Sequence, residues 1–540
     1  MMPSVISFEI GSHAFKDREI DHAAAVQLIN RVLTNFGTSA GAEVVLTENI
    51  VLLAVNGIPC EYPPSLAEQV AAYVNRINAQ PAGELFWELL ITQLLWLQPN
   101  RLVTDGMITE YMPALLELSS GRQSAFLPSC QKIVTELFSL KMAPIDKEPL
   151  KRISTTYLSW PDPDWNELRE ELIDAYAVDE IPIHINKAYF YRLMRSPAKL
   201  DVFEMMRDGM YYETGIAYPP FRFMLSEELP EDSFCFQSNS FVSIPLKGLP
   251  AENYLLANGS PEQLGLLGMT GTGSTHPVTG LPATIMAASD QKKAEEAGYT
   301  TWDALGYFIL CFSSYLRKNG WIYLNRKSVV NQLQSLKLFY PAIIELLEKA
   351  RLVALCTKVL RLLAREGLSV RNLRLILEAM LEADCIVADG QKLIIFDERI
   401  PVQQQEISDW KMEAENSVEF VRGRLKRSIS QQYTKGQSSL MVYILDAAIE
   451  ETINPKHSPS NRPDAAWIKK FVDAVWNEVD SLPSSAQQPV VLTNINVRPH
   501  VKSLLEKRMP DLAVLSYQDL SPELNIQPLA KITLDQAGLP

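Results

Sequence analysis

The chain has no apolar run long enough to cross a membrane. Its two most apolar stretches, residues 85–97 and 304–316, are 13 residues long each, whereas a helix needs roughly 20 residues to span the hydrocarbon core. The start of the chain also lacks the basic-then-apolar order of a signal peptide. We therefore expect both stretches to form buried helices and the protein to be cytoplasmic.

Cysteine and histidine are scarce, with six of each in 540 residues. The cysteines are scattered and none forms a Cys-x-x-Cys pair, so we predict free thiols in a reducing compartment and no zinc site. The histidines lack metal-ligand spacing such as His-Glu-x-x-His. No Gly-x-Ser-x-Gly or Cys–His arrangement stands out either. The sequence therefore predicts no catalytic residues, no metal site and no cofactor.

Positive charge is also in short supply. The 50 lysines and arginines face 64 aspartates and glutamates, which gives a formal net charge of −14. Nucleic acids and anionic membrane surfaces need a basic face, so we exclude both as partners. The most basic short segment contains Arg422, Arg424, Lys426 and Arg427, in a helix predicted over 418–433. We expect this face to pair with acidic neighbours or with the next subunit of a ring.

Helical and strand spacing divides the first third of the chain into two parts. Residues 1–150 are predicted as a mostly helical domain with a small β element, a strand pair formed by residues 43–46 and 50–55. Residues 151–180 are predicted as a linker. There Trp160 is followed by Pro-Asp-Pro-Asp, which stops one helix and caps the next.

The last fifty residues carry the clearest local pattern. Apolar strands are predicted at residues 489–493 and 512–516, on either side of a helix that begins near Arg498. Short apolar runs around a helix of this length are typical of a parallel α/β unit.

Four segments carry a resemblance to a known family. Residues 205–256 resemble its first cytoplasmic subdomain, and residues 276–310 resemble the run from its D-P-A-F-G-L motif onward. Residues 359–380, VLRLLAREGLSVRNLRLILEAM, are similar to its L-R-E-G-V-S-I-R-D-L-R-T-I-L-E-A-L segment, and residues 488–529 to its C-terminal end. The family is FHIPEP, the export-gate proteins of flagellar and virulence type III secretion, and the resemblance covers residues 180–532.

The resemblance implies an α+β fold with several subdomains. It places a split α/β subdomain at residues 181–251 and 304–323, with a small inserted subdomain at 252–303. A helical subdomain like the family's ring-forming one follows at 324–425, and a C-terminal α/β subdomain at 426–540.

The chain departs from the family pattern in two places. The family's membrane half is absent from the sequence, and residues 1–150, whose role the sequence does not name, stand where it would be. About 20 extra residues near 385–406 interrupt the helical subdomain.

The resemblance also implies a protein-binding pocket. Flagellar members use the Asp and Phe of D-P-A-F-G and a Thr in the following helix to bind chaperones. The corresponding positions here are His276, Thr279 and Leu310, so the pocket is expected to be smaller and differently polar. Trp302 falls near the pocket rim, where a partly exposed tryptophan is a common binding anchor. The alternative for Trp302 is plain core packing.

Three functions compete under this resemblance. The leading one is a soluble export-gate subunit that docks chaperone–cargo complexes and forms a ring, commonly of nine copies. Its residues 1–150 would dock on a membrane-embedded export component, holding the protein peripherally at the inner membrane. The second is a detached paralogue that acts as a cytoplasmic adaptor or regulator of secretion clients without a ring. The third is an enzyme on the same scaffold, which the lack of catalytic motifs disfavours.

Two further motifs have plainer interpretations. Gly268–Thr275 contains three glycines, as phosphate-binding loops do, but it lacks the lysine that would follow, so we predict a flexible linker. Asn454-Pro455-Lys456-His457 is similar to the self-cleaving N-P-T-H of another secretion component. The downstream strand of that component is missing here, so we predict an exposed loop.

Overall fold

Two groups of residues pack separately in the computed structural model. Unit 1 comprises Met1–Tyr62, Glu68–Tyr211 and Ala217–Ser328, and unit 2 comprises Pro63–Ala67, Tyr212–Ile216 and Val329–Pro540. The residues that the structure describes are 5–11, 22–38, 41–47, 53–60, 66, 84–117, 123–195, 201–250, 252–349, 352–382, 385–388, 392–395, 410–454, 463–480 and 490–534.

A four-stranded sheet begins unit 1. Its strands are β1 (Val5–Gly11), β2 (Gly41–Thr47), β3 (Leu53–Val55) and β4 (Ile58–Pro59), in the order β2-β1-β3-β4. The predicted pairing of residues 43–46 with 50–55 is wrong, because β1 lies between them, parallel to β2 and antiparallel to β3. Helix α1 (His22–Asn35) provides the crossover that a parallel pair requires. The fully buried Ile6 and Phe8 explain why β1 takes a central position.

Helices make up most of the other described residues up to residue 180. They are α2 (Glu84–Trp96), α3 (Asp105–Tyr111), α4 (Ala114–Glu117), α5 (Gln123–Ser139), α6 (Glu148–Leu158) and α7 (Trp165–Tyr176). The apolar stretch 85–97 thus forms a helix, as predicted. Residues 151–180 hold most of α6 and all of α7, both with buried leucines. The predicted domain boundaries, this linker included, stay predictions.

A second sheet of unit 1 shares its core with the N-terminal helices. It contains β5 (Ile181–Asn186), β6 (Phe221–Ser226), β7 (Ser233–Ser238), β8 (Phe241–Val242) and β9 (Leu246–Lys247), with helices α8 (Lys187–Leu193) and α9 (Asp201–Thr214). Trp96 on α2 lies edge-on to Phe241 on β8, with ring centroids 6.4 Å apart. Asn239 also donates to the Leu140 carbonyl, at 2.8 Å. The N-terminal region is therefore packed directly on this sheet.

A small sheet completes unit 1. Its strands are β10 (Tyr254–Ala257), β11 (Gly271–Thr275), β12 (Pro282–Ala287) and β13 (Thr301–Trp302), in the order β11-β12-β10-β13. Helices α10 (Pro261–Leu266), α11 (Gln291–Glu296) and α12 (Ala304–Asn319) accompany it.

The prediction of a flexible linker at Gly268–Thr275 is wrong, because its last five residues form strand β11. The glycines hid this strand from sequence reasoning, although one of them is required by the packing. A Cβ atom at Gly271 would lie 2.4 Å from Cγ2 of Thr284 on the neighbouring strand.

Unit 2 combines a helical part with a parallel sheet. Its helices are α13 (Arg326–Lys337), which begins in unit 1, α14 (Pro341–Lys349), α15 (Val353–Arg365), α16 (Leu373–Glu382), α17 (Trp410–Arg424), α18 (Lys426–Thr434), α19 (Ala447–Ile453), α20 (Ala465–Asp480) and α21 (Arg498–Leu505). Its strands are β14 (Cys385–Ala388), β15 (Lys392–Ile395), β16 (Ser439–Leu445), β17 (Val490–Thr493), β18 (Ala513–Ser516) and β19 (Asn525–Ile532).

The C-terminal strands pair in parallel in the order β18-β17-β16-β19. The predicted parallel α/β unit is therefore confirmed, with α21 beginning at Arg498 as expected. The single helix predicted over 418–433 is instead two helices, α17 and α18, which meet at Leu425. Strands β14 and β15 form a separate hairpin within the predicted insertion. The motif that starts at Asn454 continues outside the described residues.

Three features of the whole chain were predicted from the sequence: its fold class, its lack of membrane-spanning helices and its free cysteines. The mixture of helices and separate sheets confirms the α+β fold with several subdomains. Among the described residues, no helix combines the length and the apolar character needed to cross a membrane. Cys60, Cys130, Cys235, Cys311 and Cys356 are buried free thiols.

The turn after α9 lies very close to the backbone of Arg371 within unit 2. Gly215 has a φ of +78°, and a Cβ atom there would lie 2.2 Å from the backbone nitrogen of Arg371. Beside it, the Val370 N–H donates to the Thr214 carbonyl at 2.8 Å. Both the backbone conformation and the close approach therefore require glycine.

We expect Gly215→Ala to destabilise unit 2 by about 2 kcal/mol or more, because it adds both left-handed strain and a backbone clash. Gly209→Ala is the matched control. Gly209 lies inside helix α9 with open space around its Cα, so alanine there should stabilise the helix by about 0.5–1 kcal/mol. Urea unfolding of both variants measures the difference, and equal midpoints would contradict this account of Gly215.

Candidate protein-binding site

The small sheet of unit 1 brings together three of the four predicted pocket residues. His276 directly follows β11, Thr279 lies in the turn that leads to β12, and Trp302 ends β13. β13 is held by pairing with β10, in which Trp302 lies opposite Leu256. The fourth residue, Leu310, lies on α12 about 12 Å further along the chain, at a rise of about 1.5 Å per helical residue.

His276 is fixed by the turn that follows it. Its Nδ1 accepts hydrogen bonds from the backbone N–H groups of Val278 and Thr279, at 3.2 and 3.3 Å. The His276 carbonyl accepts from the Gly280 N–H at 2.9 Å. Because Nδ1 acts as an acceptor, the proton of the neutral ring resides on Nε2. Burial lowers the pKa of His276 below its ordinary value, so the imidazole is neutral at pH 7.

Trp302 packs against both the histidine and the start of α12. The His276 and Trp302 rings meet edge to face, with centroids 4.9 Å apart and an interplanar angle of 74°. A Cβ atom at Gly306 would lie 3.2 Å from Cβ of Trp302, so this glycine lets the indole lie close to the helix. Asp303 caps α12 by accepting from the Gly306 N–H at 2.8 Å. The indole remains half-buried, which leaves part of it available for contact.

Thr279 and Leu310 have different surroundings. Thr279 is exposed, and its hydroxyl oxygen accepts from the Leu281 N–H at 3.3 Å. Leu310 is half-buried, and it lies one turn beyond Gly306 on the same face of α12. Among the described residues, no hydrogen bond joins Leu310 to His276, Thr279 or Trp302.

Exposed apolar side chains occur on the same small sheet, and Val278 and Leu281 lie in the turn bonded to His276. Five large ones belong to the small sheet and its loops: Tyr254, Leu266, Leu267, Val278 and Leu281. Sequence reasoning missed them, because the spacing of apolar residues does not show which of them remain uncovered. Exposed apolar clusters on a folded domain commonly mark protein contacts.

The two rings define what this site can offer a partner. Its central histidine is neutral and meets the indole edge to face. Among the described residues, no group of three His, Cys, Asp or Glu side chains could hold a metal ion. The arrangement can offer apolar and aromatic contact with one hydrogen-bond donor at Nε2.

A second polar cluster lies in unit 2, and we call it the buried ion network. It comprises Glu366, Glu419, Arg422, Arg498 and Asp519. Arg422 donates to Asp519 through Nε and Nη2 at 3.1 and 2.8 Å, and to Glu366 through Nη1 at 2.6 Å. Arg498 donates to Glu366 at 2.7 and 3.1 Å, and its Nε donates to Glu419 at 2.8 and 3.0 Å.

The buried ion network joins the helical part of unit 2 to its C-terminal sheet. Glu366 follows α15, Glu419 and Arg422 lie on α17, Arg498 begins α21, and Asp519 follows β18. The side chains of Arg422, Arg498 and Asp519 are only 1–2% exposed. The predicted pairing of the basic helix with acidic neighbours is therefore confirmed for Arg422, and for Arg424 through an exposed pair with Glu382.

The carboxylates of the buried ion network differ in their pKa values. Burial alone would raise the pKa of Glu366, but Arg422 and Arg498 outweigh it and hold that pKa at about 2. Burial raises the pKa of Glu419 above its ordinary value despite the contact with Arg498. Sequence reasoning singled out only Arg422 and Arg498, because carboxylates 56 and 97 residues away from Arg422 leave no local signal.

Comparison with known proteins gives a family match over most of the chain. The model of the FHIPEP family matches residues 142–525. The low calcium response locus protein D of Yersinia pestis is 25% identical over 335 residues, which are 61% of this chain and 44% of that protein. The flagellar biosynthesis protein FlhA of Bacillus subtilis is 24% identical over 350 residues, or 62% and 46%. The chain thus matches less than half of the length of these curated relatives.

Solved structures show the same fold. The Chlamydia pneumoniae CdsV protein, alone and in a complex with CdsO, superposes with a TM-score of 0.55 at 24% sequence identity. The match covers 65% of this chain and 97% of CdsV. At this identity the likeness establishes the fold alone.

The depressed pKa of Glu366 makes a prediction about acid stability. A carboxylate whose folded pKa of about 2 lies below the unfolded value of 4.5 contributes stability that is fully present above pH 4.5 and lost between 4.5 and 2. The contribution is about 3 kcal/mol at neutral pH. In Glu366→Gln this part of the pH dependence should disappear, and neutral-pH stability should fall because two buried arginines lose a partner.

Glu382→Gln is the control for the Glu366 experiment, since it breaks the exposed pair with Arg424 and should cost less than about 1 kcal/mol. Urea unfolding of both variants at several pH values gives the free energy of unfolding as a function of pH. Amide hydrogen exchange in residues 410–434 then reports whether the change lies in α17 and α18. A Glu366→Gln curve parallel to that of the unmodified protein between pH 2 and 4.5 would contradict the assignment.

Proposed function

The chain belongs to the FHIPEP family of type III secretion export-gate proteins, since the family model matches residues 142–525 of 540, and from this premise we propose that it docks secretion proteins. The clients would be chaperones, cargo proteins or their complexes, bound at His276, Thr279, Trp302 and Leu310. A neutral histidine edge-on to a half-buried tryptophan, together with the adjacent exposed Val278 and Leu281, carries this proposal. Such apolar and aromatic groups suit contact with a protein.

The proposed role is binding without catalysis or a cofactor. The imidazole of His276 is neutral and the indole of Trp302 is half-buried. The site therefore offers an aromatic contact surface rather than an acid–base pair. The absence of transmembrane segments in the described residues is compatible with work in the cytoplasm or at the periphery of an inner-membrane secretion apparatus.

We also propose that the chain assembles into a ring through its helical part. Leu338 and Phe339 follow α13 and are 82% and 76% exposed, and Leu346 on α14 is exposed nearby in sequence. Burying two such side chains at a subunit contact would contribute about 1.5–3 kcal/mol each. The alternative is an adaptor that holds secretion clients as a monomer.

Residues 1–141 lie outside the family match, so their role needs a separate proposal. Their helices share a core with the β5–β9 sheet through Trp96, Phe138 and Phe241. We propose that this region contacts a membrane-embedded export component. Because the region shares a core with the β5–β9 sheet, such a contact would be made by a part of the chain packed directly on the family domain.

The docking proposal is tested with Trp302→Ala in the full chain. Isothermal titration with purified chaperone–cargo complexes of the same secretion system should show affinity weakened at least tenfold, as expected for an aromatic anchor. Trp160→Ala is the control, because Trp160 is an exposed tryptophan of unit 1 outside the small sheet. Equal affinities for both variants would exclude this site as the client pocket.

The ring proposal is tested with the double variant Leu338→Glu/Phe339→Glu. Mass photometry of the unmodified chain should show ring assemblies of about nine copies, and the double variant should lose these rings because charged side chains oppose burial. Leu116→Glu, an exposed leucine of unit 1, serves as the control. A monomeric unmodified chain at high concentration would favour the adaptor instead.

A further inference from the structure

The small sheet of unit 1 ends in an open strand. β11 (Gly271–Thr275) is the terminal strand of the order β11-β12-β10-β13, and among the strands of the described residues it pairs only with β12. Its sequence GTGST has no charge and no proline, and four of its five residues are exposed. Natural proteins usually protect such edges with lysine, proline or a bulge. β11 has none of these protections.

The register identifies the backbone groups that face outward. The His276 N–H donates to the Leu281 carbonyl at 2.9 Å, which continues the β11–β12 pairing. Hydrogen-bonded pairs alternate in an antiparallel ladder, so Thr272 and Ser274 make the bonds to β12. The N–H and C=O groups of Gly271, Gly273 and Thr275 therefore point away from the sheet.

The fold does not require a glycine at the centre of this edge. A Cβ atom at Gly273 would make only an ordinary contact, 3.4 Å from Cγ of Pro261, and its φ is not positive. Gly271 differs, because a Cβ there would clash at 2.4 Å. Glycine weakens a strand and often marks a place where another backbone comes close. Gly273 therefore suits main-chain pairing with a strand from another molecule.

We propose that β11 pairs antiparallel with β11 of a second copy, about a two-fold axis at Gly273, to form one continuous eight-stranded sheet. This register places Gly271 opposite Thr275 of the other copy, and Thr272 opposite Ser274. Small hydroxyl side chains pair favourably across strands, and no like charges meet. Such a contact is self-complementary, as a two-fold interface must be.

The flanks of the strand favour a second copy over an unrelated peptide. Leu266, which is 89% exposed, and Leu267 precede β11, while the exposed Val278 and Leu281 follow it. Antiparallel pairing brings the start of one strand to the end of the other, so both apolar flanks gain an apolar neighbour. The proposal is independent of the ring contact at Leu338 and Phe339.

Disulfide trapping tests the register directly. Gly273→Cys places two thiols at a hydrogen-bonded pair, with Cα atoms about 5.5 Å apart, inside the range that a disulfide spans. Thr275→Cys is the matched control on the same strand, because its two copies would lie four residues apart, about 13 Å. Both are made in the Leu338→Glu/Phe339→Glu background with Cys385→Ser; the other cysteines are buried.

Under mild oxidation we expect the Gly273→Cys chain to form covalent dimers at least tenfold faster than the Thr275→Cys chain. A mixture of Thr272→Cys and Ser274→Cys chains, whose substituted positions lie opposite each other in this register, should form mixed dimers. Equal rates for the two single variants, or no dimer from Gly273→Cys, would overturn the proposal. If an uncharged peptide of alternating Thr and Val instead protects the Gly271 and Gly273 amides from exchange, the edge binds a client strand and self-pairing is wrong.

A second measurement needs no added cysteine. Gly273→Pro removes an outward N–H in each copy, whereas Gly273→Ala retains it and fits beside Pro261. In the same Leu338→Glu/Phe339→Glu background, sedimentation should show a dimer dissociation constant raised about tenfold or more by proline. Alanine should change it less than about threefold. Equal effects of proline and alanine would contradict main-chain pairing.

Discussion

The buried ion network of unit 2 is the interaction on which the arrangement of that unit depends. Two arginines and three carboxylates are removed from water between α15, α17, α21 and the end of β18. Desolvating such groups is costly unless each has partners in good geometry. Arg422 and Arg498 both share Glu366, so displacing any one element leaves a buried charge uncompensated. The network thus favours one relative placement of the helical part and the C-terminal sheet.

Unit 1 is held by a different kind of contact. Aromatic rings from the N-terminal helices meet Phe241 of the second sheet, and Lys141 lies 3.9 Å above that ring while donating to Asn319. Burial lowers the pKa of Lys141 to about 7. The N-terminal region therefore shares the core of the family fold.

The small sheet presents two distinct surfaces for contact. Between the end of β11 and β13, a neutral histidine and a half-buried tryptophan lie beside the exposed Val278 and Leu281, which suits recognition of a protein surface. At β11, outward backbone groups and glycine suit recognition of another strand. The two surfaces use different physics, side-chain burial at one and main-chain hydrogen bonding at the other, so they are separable by mutation.

The sequence by itself determined the elements whose signal is local. Apolar runs around Arg498 predicted the parallel C-terminal unit, and the lengths of residues 85–97 and 304–316 predicted buried helices. The resemblance of several segments to family motifs, in the same order along the chain, predicted the family. Each of these depends on residues close together in the chain, where spacing reflects backbone geometry.

Only the tertiary structure decided which distant residues meet. It placed β1 between β2 and β3, made a strand of the glycines before His276, and gave Arg422 its partners Glu366 and Asp519. It also brought His276 to Trp302 while leaving Leu310 further along α12. Long-range pairing is chosen by burial and hydrogen bonding in the packed chain, and no local periodicity encodes those choices.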